Sequence, residues 1–216
     1  MDHAEGRAEP RADTRRQARK SRPSLPFIVE LPFLIVIALT LAVVIKTFIV
    51  QPFYIPSGSM IPTIEINDRV LVSKLAYRFG TPQRGQIVVF LSPYAPHDVQ
   101  ESLVQKVGRN VAEALGIKTA AADDFIKRIV GLPGETVSIR NNTVYIDGKP
   151  LAEPYLPPGT KMADMAPVTI PAGDVWVMGD NRAHSSDSRV FGPIREKDII
   201  GEAIFRIWPL DRLGRL

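Results

Sequence analysis

At 216 residues the chain has room for one sizeable core and a small appendage, and its 19 prolines argue for many turns and against an all-helical fold. It has no cysteine, which excludes disulfides, thiol nucleophiles and thiolate metal sites and leaves the compartment open. The charge excess is small, 27 Lys and Arg against 23 Asp and Glu, and no basic patch is interleaved with aromatics, so no nucleic acid partner is expected.

Residues 1–30 read as a basic, polar tail without apolar periodicity, expected to be disordered through Ser24. Leu31 to Val50 is almost wholly apolar, broken late by Lys46, and has about the 20 residues a helix needs to span a bilayer. A buried core helix is the alternative, disfavoured by the uninterrupted apolar character of the run all round. A cleavable signal peptide would have a shorter apolar region, roughly 7 to 15 residues, followed by a small-residue cleavage site. Ile49-Val50-Gln51-Pro52-Phe53 supplies no such site, so residues 31–50 are read as an uncleaved transmembrane helix. Arg15, Arg16, Arg19, Lys20 and Arg22 flank its N-terminal side and place that side in the cytoplasm, with residues 51–216 outside.

Next comes Gln51 to Thr63, in which Pro56-Ser57-Gly58-Ser59-Met60-Ile61-Pro62 sets two serines between prolines. Proline fixes φ and glycine permits tight turns, so the stretch reads as a stiff, exposed loop that holds a hydroxyl out, or as a linker between anchor and domain. Short β-branched runs follow at Arg69–Val72, Gln86–Phe90, Asp124–Val130, Thr136–Arg140, Thr143–Ile146, Asp174–Met178 and Ile199–Ile207. Asn141-Asn142 marks a hairpin, and Glu153-Pro154-Tyr155-Leu156-Pro157-Pro158 a proline-rich connection. Many short strands at close spacing predict a mainly β, antiparallel domain over residues 51–216. One helical insert is predicted within it, at 98–119, where Val99, Leu103, Val107, Val111 and Leu115 recur at four-residue intervals.

Few residues could carry chemistry. The histidines are His3, His97 and His184, and no His/Asp/Glu clustering suggests a metal, so none is expected. A Ser59, His184 and Asp187 triad is chemically admissible, but His184 and Asp187 share one polar loop, with no sign of a buried carboxylate turned onto the imidazole. Lys127 is the better base. On a strand it projects between Phe125 and Ile129, and apolar neighbours lower a lysine pKa by disfavouring the ammonium. A neutral amine can take a proton from a serine hydroxyl. The same residue could equally be a strand-edge lysine with its head in water.

The motifs taken together go further. Pro56-Ser57-Gly58-Ser59-Met60, Arg84-Gly85-Gln86-Ile87-Val88-Val89-Phe90, Ile126-Lys127-Arg128-Ile129-Val130-Gly131-Leu132-Pro133-Gly134 and Gly179-Asp180-Asn181-Arg182 through Ser185, Asp187, Ser188 and Arg189 stand in this order behind an anchor. The chain from about Phe48 to Trp208 resembles the bacterial type I signal peptidases, membrane-bound serine endopeptidases with a Ser-Lys dyad on a β-rich fold. The resemblance implies Ser59 as nucleophile and Lys127 as general base, with Ser57 and the Ser59 N–H as oxyanion hole. It implies Ser185 as the residue that orients the lysine, and Asp187 and Arg189 as a salt-bridged support, with Gly179 and Asp180 beside the site. It maps the pockets for small side chains onto Phe53, Ile55, Pro56, Val70, Val89 and Ile126. Its other implications are no cofactor, no obligate protein partner, a place in the bacterial cytoplasmic membrane, and as partners the bilayer and membrane-embedded signal peptides of preproteins. The chain departs from the family at Ala183-His184, at Gln86 and in the 98–119 segment. Two other readings are a related Ser-Lys protease of a specialised secretion or pilus component, and an inactive anchored scaffold.

Overall fold

The stretch Ile87-Val88-Val89-Phe90 shows how this sequence builds a sheet covered on both faces. Successive side chains of a strand point to opposite sides. Ile87 and Val89 accordingly join one buried cluster, with Phe53, Ile55, Met60, Ile64, Val70, Val72, Ile126 and Ala203. Val88 and Phe90 join another, with Ile129, Val175, Val177 and Ile194. The computed structural model of the chain describes residues 27–94 and 124–216. The tail up to Pro26 and the predicted helix at 98–119 lie outside these residues.

The chain divides into two units, Met1–Ala38 and Leu39–Leu216. Helix α1 runs from Phe27 to Phe48. In the first unit it exposes Leu31, Phe33, Leu34, Ile35, Val36 and Ile37. Its side chains are described without a break only from Glu30 to Ala42, and over the described residues no helix is long and apolar enough to cross a membrane. Taken whole, the α1 sequence contains two charged residues, Glu30 and Lys46.

In the second unit the strands are β1 (Val50–Tyr54), β2 (Arg69–Ser73), β3 (Ile87–Leu91), β4 (Asp124–Gly131), β5 (Thr136–Arg140), β6 (Thr143–Ile146), β7 (Lys149–Pro150), β8 (Met165–Thr169), β9 (Asp174–Met178), β10 (Ile194–Arg195), β11 (Ile199–Trp208) and β12 (Gly214–Arg215). Short helices α2 (Ala76–Phe79) and α3 (Ser188–Phe191) interrupt them. The larger sheet has the order β1-β2-β11-β3-β4-β9-β10, with β12 on β11, and the smaller has β7-β6-β5-β8. Every ladder among the described residues is antiparallel. The hairpin expected at Asn141-Asn142 is present, both residues taking positive φ (49° and 63°), which asparagine tolerates.

The sheets meet over a third cluster, Val130, Trp176 and Met178 from one against Val137, Ile139, Val144 and Ile146 from the other. Gly131 permits the contact. A Cβ there would lie 2.5 Å from Ile170 Cδ1 and 2.7 Å from Val137 Cγ2. Five strands were not expected from the sequence: the two-residue pairings β7, β10 and β12, and two longer strands. Val50–Tyr54 continues directly from the apolar run, but as an edge strand it can include Pro52, which has no N–H to donate to a ladder. Met165–Thr169 is the other, also at an edge, with Pro167 inside it. The apolar run is thus split, helical to Phe48 and paired as strand from Val50.

Candidate active site

The serine loop leaves β1 and returns to β2 between two backbone bonds, Ile55 N–H to Asp68 O (3.0 Å) and Asn67 N–H to Ile55 O (2.9 Å). Met60 and Ile64 are wholly buried and pin the loop from inside. Ser59 is therefore buried too, at 7% exposure, whereas Ser57 stays exposed. This corrects the expectation of a hydroxyl held out on an exposed loop: apolar anchors after the serine draw it inward. From the other side Asn181 donates through N–H to Ser59 O and through Nδ2 to Gly58 O, both at 3.0 Å. Thr63 Oγ1 donates to Asp180 Oδ2 at 2.6 Å.

Lys127 comes from the middle of β4 and is 4% exposed. Its Nζ lies 2.8 Å from Ser59 Oγ, 2.9 Å from Ile126 O and 5.3 Å from the centre of the Phe125 ring. Burial lowers its pKa to about 8, and the nearby negative charge of Asp187 works against that shift. Asp187 is itself wholly buried. Burial alone would raise its pKa, but the bonds and charge of Arg189, with help from the Gly179 N–H and Ser185, hold it below the usual carboxylate value. Arg189 donates through Nε to Oδ1 (2.8 Å) and through Nη2 to Oδ2 (2.7 Å), and Gly179 N–H donates to Oδ2 (3.0 Å).

These contacts leave no triad. Both Asp187 oxygens are taken by Arg189 and Gly179, and the exposed His184 pairs through Nδ1 with Asn181 Oδ1 at 3.2 Å. Ser185 is also unlike expectation. Its Oγ is buried without a hydrogen-bond partner, although it lies close enough to Asp187 to favour the ionised carboxylate. The two bonds of Lys127 go to Ser59 and Ile126 instead. Ser185 packs against Gly179, where an added Cβ would come within 2.3 Å of Ser185 Oγ and 2.4 Å of Ser59 O.

Ser59 and Lys127 open onto a cleft of about 350 Å³ whose lining includes Phe53, Ile55, Pro56, Val89 and Ile126, with Ser57 beside them. Val70, expected there, is not part of it: it is wholly buried in the core cluster that also holds Phe53, Ile55 and Val89. Alternation along a strand assigns a face and cannot separate core from cleft wall. Tyr54, Gly58, Asp124, Phe125, His184 and Ser186 complete the lining and were not anticipated as cleft residues. A larger groove, about 500 Å³, lies against the smaller sheet at Ser138, Arg140, Asp164 and Met165 and shares no residue with the cleft. Among the described residues, no group of His, Asp or Glu could hold a metal ion.

A layer of ion pairs behind the site also escaped the sequence. Arg128 is bidentate to Asp180 (Nε–Oδ1 2.9 Å, Nη2–Oδ2 2.7 Å), and Arg182 is bidentate to Glu153 (2.5 and 3.0 Å). The sequence signal was Arg128 itself, on the face of β4 opposite Lys127.

Comparison with known proteins identifies the family. The family described as "Signal peptidase, peptidase S26" matches residues 28–208. A probable signal peptidase I-1 of Synechocystis sp. is 42% identical over 192 residues, 88% of this chain and 87% of its own. The signal peptidase I of Mycobacterium tuberculosis is 36% identical over 256 aligned positions, 99% of this chain and 86% of its own. A crystal structure of a signal peptidase I from Enterococcus faecalis V583 aligns at 29% identity over 56% of this chain and 96% of that one, with a TM-score of 0.41. The protein is a serine endopeptidase. It belongs to the signal peptidase I family, whose members are serine proteases that cleave signal peptides.

Proposed function

We propose that this enzyme removes signal peptides from exported preproteins by a Ser59 nucleophile and a neutral Lys127 base, anchored in the membrane by one N-terminal helix. The 2.8 Å separation of Lys127 Nζ and Ser59 Oγ carries the reading. Burial supplies the second requirement, a lysine whose pKa of about 8 leaves some of it neutral near neutral pH. Lys127 takes the Ser59 proton as Oγ attacks the scissile carbonyl, and the ammonium then protonates the departing amine. The Lys127 amine then takes a proton from water as the water attacks the acyl carbon, and the ammonium returns that proton to Ser59 Oγ as the ester bond breaks. The Ser57 hydroxyl and the Ser59 N–H receive the oxyanion, a role the family resemblance implies and which the place of both residues in the cleft lining supports. Asp187 and Arg189 support the segment behind the lysine. No cofactor enters this scheme.

The apolar lining at Phe53, Ile55, Pro56, Val89 and Ile126 supports a preference for small residues at the first and third positions before the scissile bond. A purified-enzyme assay on a preprotein tests it. A bulky or charged residue at either position should cut turnover far more than one placed between them, and equal tolerance at all three overturns the pocket assignment.

Anchoring rests on the apolar run Leu31–Val50 and its basic N-terminal flank. Ser59 follows Val50 by nine residues, so an extended chain of that length reaches no more than about 30 Å. The partners are then the lipid bilayer and substrates cut at its outer edge. Protease added to spheroplasts should degrade residues 52–216, and full protection of that domain in sealed spheroplasts overturns the orientation.

A further inference from the structure

We propose that Glu153, Tyr155 and Arg182 are positioning residues for the hydrolysis, holding the strand that carries Lys127 and the loop that carries Ser59 at their working separation. The inference rests on the Ser-Lys reading above. None of the three residues lines the cleft.

Arg128 adjoins Lys127 in the chain, and its guanidinium is fixed on three sides. It pairs with Asp180, donates through Nη1 to Gly85 O at 2.7 Å, and lies 4.0 Å from the centre of the Tyr155 ring. The Tyr155 hydroxyl donates to Glu153 Oε1 at 2.7 Å. Burial, then the Glu153 carboxylate, pushes the phenol pKa up, so the hydroxyl remains a donor. Glu153 grips Arg182, and Arg182 Nε donates to Gly179 O at 3.0 Å. Gly179 packs against Ser59 O, and its neighbours Asp180 and Asn181 hold Thr63, Gly58 and Ser59.

The charges alternate along this chain of contacts: Asp180, Arg128, Glu153, Arg182. Tyr155 bridges the two pairs. All four charged side chains are under 10% exposed. Buried ion pairs add little stability over well-packed apolar residues, but a fully satisfied network fixes geometry. Here one end of the network fixes the backbone beside Lys127, and the other fixes the backbone that holds Ser59. Glu153 and Tyr155 come from the proline-rich Glu153–Pro158 segment after β7, a stiff support for that purpose.

Tyr155→Leu tests the role without changing any charge. In the full-length enzyme, assayed on a signal-peptide substrate, it should lower kcat by about ten- to a hundredfold and leave KM within about twofold, the mark of misplaced reacting groups. Water reaching a loosened site should also move the midpoint of the pH–kcat profile upward, toward the ordinary lysine range. Asp187, from the 185–189 segment, is the charge that acts on Lys127, and the other titratable side chains lining the cleft with it are Tyr54 on β1, Asp124 on its own strand and His184. Tyr155→Leu alters none of them, so a shift would report geometry. Tyr155→Phe keeps the ring over Arg128 and should lose less.

A folded Tyr155→Leu enzyme with wild-type kcat overturns the inference, and so does a lower kcat with an unmoved midpoint. Should Tyr155→Leu fail to fold, Arg182→Lys, which loses the fork, must show the same two changes, and a wild-type profile there overturns it. Lys127→Ala runs alongside. Cleavage by that variant overturns the Ser-Lys reading and this inference with it. A dead Lys127→Ala beside an unaffected Tyr155→Leu removes this inference alone.

Discussion

Ser59→Ala and Lys127→Ala should each reduce preprotein cleavage by about 10⁴-fold or more, and the double variant should be no worse than either, because residues that act as one unit do not contribute additively. The 2.8 Å contact between them is the reason. Lys127→Arg should fail equally, since a guanidinium stays protonated and cannot accept the serine proton. His184→Ala should be almost silent, its ring being exposed and paired with Asn181. The wild-type pH profile follows from the lysine. Its folded pKa is lowered from 10.5 to about 8, so the ammonium predominates at pH 7 and the amine above pH 8. Activity should rise as pH passes through that range and level off above it. A profile set near pH 6.5, lost in His184→Ala and kept in Lys127→Ala, would establish histidine as the base.

Gly179→Ala should be the most damaging single methyl group in the molecule for turnover. The new carbon would sit 2.4 Å from Ser59 O, a backbone atom already held by Asn181 N–H, and 2.3 Å from Ser185 Oγ. Ser59 O cannot yield without moving the segment that carries the nucleophile, and rotating the Ser185 hydroxyl still leaves its Cβ 2.6 Å away. A displacement of the order of 1 Å costs about a hundredfold in rate, and overpacking of this kind about 1–3 kcal/mol in stability. Steady-state kinetics with a parallel thermal melt separate the two. A variant within threefold of wild-type kcat would show that the close approach does not set the position of Ser59.

What the sequence disclosed depended on how local its signals were. The strands β3 and β4 and the β5–β6 hairpin were legible because alternation and turn residues lie within each run. The β1 strand was not, because nothing local separates Val50–Tyr54 from the apolar run before it, and β8 was obscured by Pro167 and by its largely exposed side chains. At the site, motif resemblance singled out Ser59 and Lys127, and the structure sets their side chains side by side. The burial of Ser59 is decided by Met60 and Ile64 docking into a core assembled from distant strands, which no local pattern reports. Glu153 and Tyr155 reach Arg182 and Arg128 across more than twenty residues of chain, so their involvement appears only when the fold is known. The unpaired Ser185 hydroxyl shows the opposite limit: a role carried over by resemblance need not be expressed as a bond in the free enzyme.

The pairing of β3 with β4 has a use in engineering. Leu91 sits opposite Asp124, so the chain departs and returns at neighbouring positions of one ladder. Closing a loop between fixed points costs only about 0.6 kcal/mol more for each doubling of its length. A fluorescent or affinity module spliced in after Tyr94 would therefore leave the ladder's register unchanged. Because Asp124 also borders the cleft, such a module would stand close to the peptide being cut and could report its arrival and departure during turnover.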